Sequence, residues 1–255
     1  MIIVKEYVEQ FIQTIKKGDF KQYIDNKCEL TRETSLEVYR AAIYQGYLDA
    51  SRTFQFGNTL NRDDERIEKL ASMLKSYIDS PNEAFDHNRY CNTLIGDGLM
   101  TYGQAQKIVN MAFKYLFCLV DMCDRRNGIE EKFDECHMPL DGIMLEWIYR
   151  NLNEDSCIQK SKIGPWSRMI YSEEDIDSKG YYTYRFYLKM INSYCEKERK
   201  TPLQIDFENW GKVSLILAAE KFIKAFEGKT IVNNQGLEEL LDQVKCILNR
   251  ELHGA

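Results

Sequence analysis

Proline and glycine, the two residues that most often interrupt regular structure, are scarce in this chain. Its 255 residues include 4 prolines and 14 glycines. Because a helix interior tolerates neither residue well, this shortage predicts long uninterrupted elements. No stretch alternates polar and apolar residues for long enough to indicate a β-strand. The sequence therefore predicts an all-α protein, with a single domain over residues 1–255 that has two helical lobes and a cleft between them.

Long apolar runs and export signals are also missing. No run approaches the roughly 20 apolar residues that a membrane-spanning helix needs. Charged residues come too early in the first ten positions for a secretory signal. The 8 cysteines include no Cys-x-x-Cys pair and no closely spaced quartet, so an iron–sulfur cluster is not expected. We expect reduced cysteines, a cytoplasmic location, no membrane partner and no cofactor.

An excess of positive charge is absent as well. The chain has 34 Lys and Arg against 40 Asp and Glu, which gives a formal net charge of −6. This balance disfavours a protein that binds nucleic acid through its average charge. A local basic face on an acidic body is still compatible with DNA binding. The best basic clusters contain Lys160, Lys162, Arg168, Lys197, Arg199 and Lys200.

Apolar residues at helical spacing, together with caps and breakers, mark the expected helices. Thr101 and Gln104 form a capping box at the start of the longest one. The Thr201-Pro202 pair is expected to break the chain. The predicted helices cover residues 3–16, 34 or 35 to beyond 47, 64–78, 83–94, 102–123, 139–152, 181–200, 207–226 and 236–252.

Residues 101–147 contain the groups best suited to chemistry. A glycine-bearing turn at residues 96–103 leads into the capped helix, and Lys107 lies about one turn inside it. A second helix begins near Pro139, which puts Asp141 in or near its first turn. Helix N-termini attract anions such as phosphate. An amine that faces a carboxylate is suited to attack at the anomeric carbon of a bound sugar.

This segment resembles the helix-hairpin-helix DNA glycosylases. The similar residues are 106–109 (QKIV) and 137–144 (HMPLDGIM). In that family a hairpin precedes a helix that starts with a catalytic Lys, and a Pro-Val-Asp-type turn opens a later helix. The helix-hairpin-helix element would lie near residues 96–123, where the turn reads GLMTYG in place of the common Leu-Pro-Gly-x-Gly. The gap of 34 residues (141 − 107) is most similar to the archaeal branch that acts on 8-oxoguanine.

The resemblance implies an enzyme that removes a damaged or modified base from duplex DNA, with or without strand-cleaving lyase activity. Lys107 would be the nucleophile, and Asp141 would assist departure of the base. In the archaeal branch an acidic residue and a Trp one turn later help close the base pocket, which implies the same for Asp206 and Trp210. The resemblance further suggests His137 and Pro139 for that pocket, and Gly98, Gly103 and Gln104 for contact with the DNA backbone.

A non-enzymatic interpretation also stays open. Lys107 is equally explained as a solvated helix lysine, and Asp141 as an N-cap residue. The chain would then be a helical protein-binding or regulatory module. Its aromatic residues suit either the stacking of bases or core packing. They are Trp166, Tyr171, Tyr181, Tyr182, Tyr184, Phe186 and Tyr187.

A metal-dependent enzyme is the third interpretation. His87 and Cys91 lie at helical i, i+4 spacing, and Cys136 and His137 are adjacent in sequence. Four such side chains would have to converge to form a zinc site. We expect no metal, because the two pairs are far apart in the chain and adjacent Cys-His is unusual for chelation.

Overall fold

The computed structural model describes residues 5–15, 18–52, 63–120, 128–153, 157–226 and 243–245. Within these residues the regular structure is helical, and the β-type pairing is limited to one isolated bridge between Ile176 and Tyr182. The prediction of an all-α protein is confirmed. None of these helices combines the length and the apolar character that crossing a bilayer requires. The α-helices are α1 (Lys5–Thr14), α2 (Lys21–Asp25), α3 (Leu36–Arg52), α4 (Asp64–Asp79), α5 (His87–Ile95), α6 (Tyr102–Phe117), α7 (Gly142–Asn151), α8 (Tyr184–Glu198) and α9 (Pro202–Phe226).

Side-chain caps start the two helices that carry the predicted reactive residues. The Thr101 hydroxyl accepts a hydrogen bond from the Gln104 N–H, and the Gln104 side chain accepts one from the Thr101 N–H. The predicted capping box of α6 is therefore confirmed. Helix α7 begins at Gly142, directly after its N-cap residue Asp141.

The start of α9 differs from the prediction. The chain breaks between α8 and α9 as predicted, at residues 199–201, but α9 begins at Pro202 and not at residue 207, so residues 202–206 are helical. Proline suits the first helical position, because the N–H that it lacks would have no partner there. Thr201 and Gln204 add a reciprocal cap, with hydrogen bonds of 2.7 and 3.3 Å. The correction matters because it places Asp206 inside a rigid helix.

Three predicted helices extend beyond the described residues; in the first, predicted over 3–16, these are residues 3, 4 and 16. The helix predicted over residues 102–123 ends at Phe117, and residues 121–127 lie outside the described part of the chain. The helix predicted over residues 236–252 also lies outside it, except for residues 243–245, which are helical. The single-domain and two-lobe organisation stays a prediction.

Helix α6 is the central element of the core. Every residue of α6 except Gln104 is buried, and α3 and α5 pack directly against it. A helix that is largely apolar on all sides belongs inside a protein. The contact with α3 is close at Gly46, where a Cβ atom would lie 2.7 Å from the Ile108 carbonyl oxygen.

The N-terminal end of α6 is covered by a short helical turn, Trp166–Arg168. The Gly103 N–H donates to the Met169 carbonyl over 2.9 Å, and a Cβ atom at Gly103 would lie 1.9 Å from the Trp166 carbonyl oxygen. This close approach corrects the DNA-backbone role predicted for Gly103, because the residue is buried and its N–H already has a partner. Gly98, in contrast, is exposed and has a φ of +86°.

Two glycine substitutions test this packing. We expect Gly103→Ala to lower the free energy of unfolding by about 2 kcal/mol or more, because the new Cβ must displace backbone. The matched control is Gly142→Ala, whose Cβ would meet nothing within 4 Å. That control should leave stability unchanged or raise it by up to about 1 kcal/mol. Urea unfolding measures both, and equal effects would contradict the covered helix end.

Candidate active site

Lys107 and Asp141 form a nearly buried ion pair. The Lys107 Nζ donates to Asp141 Oδ2 over 3.1 Å, and the two side chains are only 8% and 10% exposed. The pair joins the first turns of α6 to the N-cap of α7. The Lys107 Nζ also lies 4.8 Å from the centroid of the Trp166 ring, a cation–π distance. Lys107 is therefore not the solvated helix lysine of the non-enzymatic interpretation.

Asp141 divides its two carboxylate oxygens between two tasks. Oδ1 accepts from the N–H groups of Ile143 and Met144 over 3.0 and 3.1 Å, which caps α7. Oδ2 accepts from Lys107 and, over 3.3 Å, from the Trp210 indole N–H. The positive end of the α7 dipole further stabilises the negative charge. Asp141 can therefore cap α7 with one carboxylate oxygen while the other contacts the Lys107 amine.

A second buried ion pair lies deeper along α6. Lys114 Nζ is 2.5 Å from Asp206 Oδ2, with side-chain exposures of 2% and 0%. The ammonium group also lies 4.0 Å from the centroid of the Phe11 ring and 4.7 Å from that of Phe207. Lys114 is not among the residues that the sequence pattern predicts for the site. Its spacing of seven residues, two helical turns, from Lys107 on a largely apolar helix is the signal that identifies it.

Asp206 keeps unused hydrogen-bonding capacity despite the ion pair. Lys114 contacts Oδ2, and Oδ1 has no hydrogen-bond partner among the described residues. Burial raises the pKa of Asp206, and the positive charge of Lys114 acts in the opposite direction. Gln45 Oε1, on α3, is likewise a buried acceptor for which the described residues provide no donor. Such acceptors favour a ligand that brings N–H groups, since unpaired buried acceptors are costly.

Both ion pairs line a single cavity of about 420 Å³. Its walls include the aromatic rings of Phe11, Trp166 and Trp210. Helices α1, α3, α6 and α9 all contribute to the lining, as does the turn before α7. Of the residues predicted from sequence, the lining contains Lys107, Asp141, Asp206, Trp210 and Pro139, and Trp166 of the aromatic set.

The remaining predicted residues lie elsewhere. His137 does not line this cavity, which corrects its predicted place in the base pocket. Its ring centroid lies 4.2 Å from that of His87, its Nδ1 is 3.0 Å from the Tyr184 hydroxyl, and it lines a separate open cavity of about 820 Å³. Gly98 and Gln104 lie at the turn before α6 and in its first turn, outside the cavity lining.

The two neighbouring histidines are neutral near pH 7. Burial lowers the pKa of His87 to about 4. Burial also lowers the pKa of His137 well below its usual value, and the adjacent His87 adds to this effect. Their ring nitrogens contact Asn110, Tyr102 and Tyr184.

The proposed metal ligands do not form a ligand set. The Cys136 thiol donates to the Lys132 carbonyl, and His87 contacts Asn110. Across the described ranges, no group of three or more His, Cys, Asp or Glu is arranged to hold a metal ion.

Most of the Tyr-rich segment belongs to the core. Tyr182, Tyr184 and Tyr187 are buried, and the Tyr182 and Phe186 rings stack at 4.0 Å between centroids. Tyr171 and Tyr181 remain exposed. A third member of the set, Trp166, lines the cavity.

No protein-family model matches this chain, and neither a curated protein nor a solved structure matches it. The function must therefore be argued from the chemistry of the site.

The deeper ion pair generates a stability prediction. We expect Lys114→Met to lower the free energy of unfolding by about 3 kcal/mol, because Asp206 then lacks its buried countercharge. Adding Asp206→Asn should recover at least half of this loss. The measurement is urea unfolding at pH 7, with the exposed Lys69→Met as control. A Lys114→Met variant as stable as this control would contradict the paired burial.

The histidine pair generates a pH prediction. The pKa of His87 is about 4 in the folded state and about 6.5 when unfolded, so the unfolded state binds more protons between these values. The contribution of the neutral His87 ring to the free energy of unfolding is fully present above pH 6.5 and is lost as the pH falls through 4. The loss is on the order of 3 kcal/mol. Urea unfolding between pH 7.5 and 4 should show a weaker pH dependence for His87→Gln; parallel curves would contradict the buried neutral ring.

Proposed function

We propose that this protein is a DNA N-glycosylase that excises an oxidised or otherwise modified base, with Lys107 as nucleophile and Asp141 as assisting carboxylate. The observation that carries the proposal is the 3.1 Å contact between the Lys107 amine and the Asp141 carboxylate in an aromatic-walled cavity. An amine next to a carboxylate in a water-poor site is suited to displacement at a sugar carbon.

The reaction begins with the loss of one proton from the Lys107 ammonium group. Asp141 Oδ2 is the carboxylate oxygen in contact with that group and is placed to accept the proton. The amine lone pair then forms a bond to C1′ of the sugar while the bond from C1′ to the base breaks. The base leaves with the electron pair of the broken bond and takes up the proton that Asp141 accepted. The new ammonium nitrogen on C1′ then gives one proton to the ring oxygen as the bond from C1′ to that oxygen breaks, which leaves a Schiff base from which either hydrolysis or strand cleavage can follow.

The cavity suits a base that has been flipped out of the DNA stack. Its volume of about 420 Å³ lies within the usual range for small-molecule sites. Trp166 and Trp210 offer ring faces for stacking. The free acceptors on Asp206 and Gln45 favour a base edge that carries N–H donors. These features support the assignment of Asp206 and Trp210 to the base pocket.

The surface around the N-terminal end of α6 is suited to the DNA backbone. Gly98 is exposed, and its missing side chain leaves open space. Arg168 is exposed two residues from Trp166, which contacts the nucleophile. We assign the backbone contact to this turn and to Arg168, which together provide accessible backbone and positive charge next to the cavity.

The protein-binding alternative has one observation in its favour. Leu215 on α9 is 74% exposed, and exposed apolar side chains are common at protein interfaces. A gel shift with an abasic-site duplex at low, stated salt separates the two functions. Binding is expected for the glycosylase, and no binding for the protein-binding module.

Borohydride trapping tests the chemistry. Duplexes that carry different modified bases are incubated with the protein and then reduced. We expect a covalent adduct that disappears in Lys107→Gln and persists in the exposed control Lys69→Gln. Asp141→Asn should slow adduct formation by about 100-fold or more. Asn caps helices as well as Asp does, so this variant keeps the cap of α7 and removes the charge.

Opposite outcomes overturn parts of the scheme. An adduct that persists in Lys107→Gln would exclude Lys107 as the nucleophile. An unchanged rate in Asp141→Asn would remove the role of Asp141. Urea unfolding of each variant establishes that it is folded at the assay temperature.

A further inference from the structure

Two neutral amides lie fully buried on α6. Gln106 and Asn110 are each 0% exposed and lie one helical turn apart. A buried amide is costly unless its donors and acceptors are paired, and an apolar residue would fit a core helix at lower cost. Their presence on the helix that carries Lys107 therefore requires an explanation in terms of their partners.

Gln106 uses every hydrogen-bonding site of its side chain. Its Nε2 donates to the Leu140 carbonyl over 2.8 Å and to the Gly103 carbonyl over 3.0 Å. Its Oε1 accepts from the Leu140 N–H over 3.2 Å and from Asn110 Nδ2 over 3.1 Å. The two bonds to Leu140 imitate the pairing between neighbouring β-strands. The backbone of Leu140 is thus fixed at both of its polar groups.

Asn110 extends this attachment by one turn. Its Nδ2 donates to the Met138 carbonyl over 3.0 Å, and its Oδ1 accepts from His87 Nε2 over 2.8 Å. Residues 138–140 belong to no helix. Side chains of α6 therefore supply hydrogen bonds that regular structure would otherwise provide to this segment.

The attached residues adjoin the reactive ones on both elements. Gln106 directly precedes Lys107, and Leu140 directly precedes Asp141. We infer that Gln106 is a positioning residue, supported by Asn110, which sets the distance between the Lys107 amine and the Asp141 carboxylate. This inference rests on the proposed glycosylase function. It adds that reactivity depends on an uncharged side chain that does not line the cavity.

The test compares Gln106→Met with a matched control. Methionine preserves the length of the side chain and removes all four hydrogen bonds. The control is Ile108→Ala, on the opposite face of α6, where the backbone contacts Gly46 of α3. Both variants should lower the free energy of unfolding, but only Gln106→Met removes the two hydrogen bonds to the Leu140 backbone. Single-turnover adduct formation and duplex affinity are measured at a temperature at which both variants are folded.

We expect Gln106→Met to slow adduct formation by about 10- to 100-fold, because a misplacement of about 1 Å has effects of this size. Its dissociation constant for the duplex should change less than about threefold, and Ile108→Ala should change both quantities less than threefold. Asn110→Asp, which retains the acceptor for His87 but loses both amide donors, should give an intermediate rate. Equal slowing in Gln106→Met and Ile108→Ala, or a loss confined to affinity, would overturn the inference.

A readout without DNA separates this inference from the proposed function. A double-mutant cycle of Lys107→Met and Asp141→Asn gives the coupling free energy of this ion pair, from urea unfolding of the single and double variants. The cycle is measured once in the wild-type background and once in the Gln106→Met background. We expect the coupling to fall by at least half when Gln106 is replaced. An unchanged coupling would overturn the positioning role. A wild-type protein that forms no adduct would overturn the glycosylase proposal, and the coupling would still decide the role of Gln106.

Discussion

The pairing of buried polar groups on α6 is the constraint on which the site depends. This helix is buried on nearly all sides, yet it carries Gln106, Lys107, Asn110 and Lys114 in its interior turns. Each of these groups would cost several kcal/mol if it were left without a partner. The partners of Gln106, Lys107 and Lys114 come from the turn before α7 and from α9, and Asn110 also pairs with His87 of α5 and Tyr184 of α8. The need for pairing thus fixes the turn before α7 and α9 against α6, and these elements contribute to the wall of the cavity.

The two ion pairs in this cavity suit different tasks. Lys107 and Asp141 keep some exposure and contact two indole rings, and Asp141 has one oxygen that is not used for capping. Lys114 and Asp206 have almost no exposure, and Asp206 retains free acceptor capacity. The first pair is therefore suited to proton transfer and nucleophilic attack, and the second to holding a ligand. A charged pair without water responds strongly to any ligand that changes its hydrogen bonds.

The predictions that succeeded rest on local patterns, and the errors came from patterns with two meanings. Thr101 with Gln104 started a helix as expected, because a capping box involves residues only three positions apart. The break at Thr201-Pro202 is confirmed, but the helix after it was expected only from residue 207, although proline is favoured at a first helical position. The resemblance selected Lys107, Asp141, Asp206 and Trp210, and these residues line one cavity. Their catalytic and binding roles remain the proposal to be tested.

The sequence by itself determined the helical class and the caps of α6 and α7, and it singled out most of the polar residues that line the cavity. Those features depend on helical spacing and on hydrogen bonds between near neighbours. Only the tertiary structure decided that Lys114 pairs with Asp206, that Trp166 covers Gly103 and that His137 packs against His87 instead of the cavity. These contacts join residues that are far apart in the chain. They are selected by the packing of whole helices and by the requirement that every buried charge find a countercharge, which no local pattern contains.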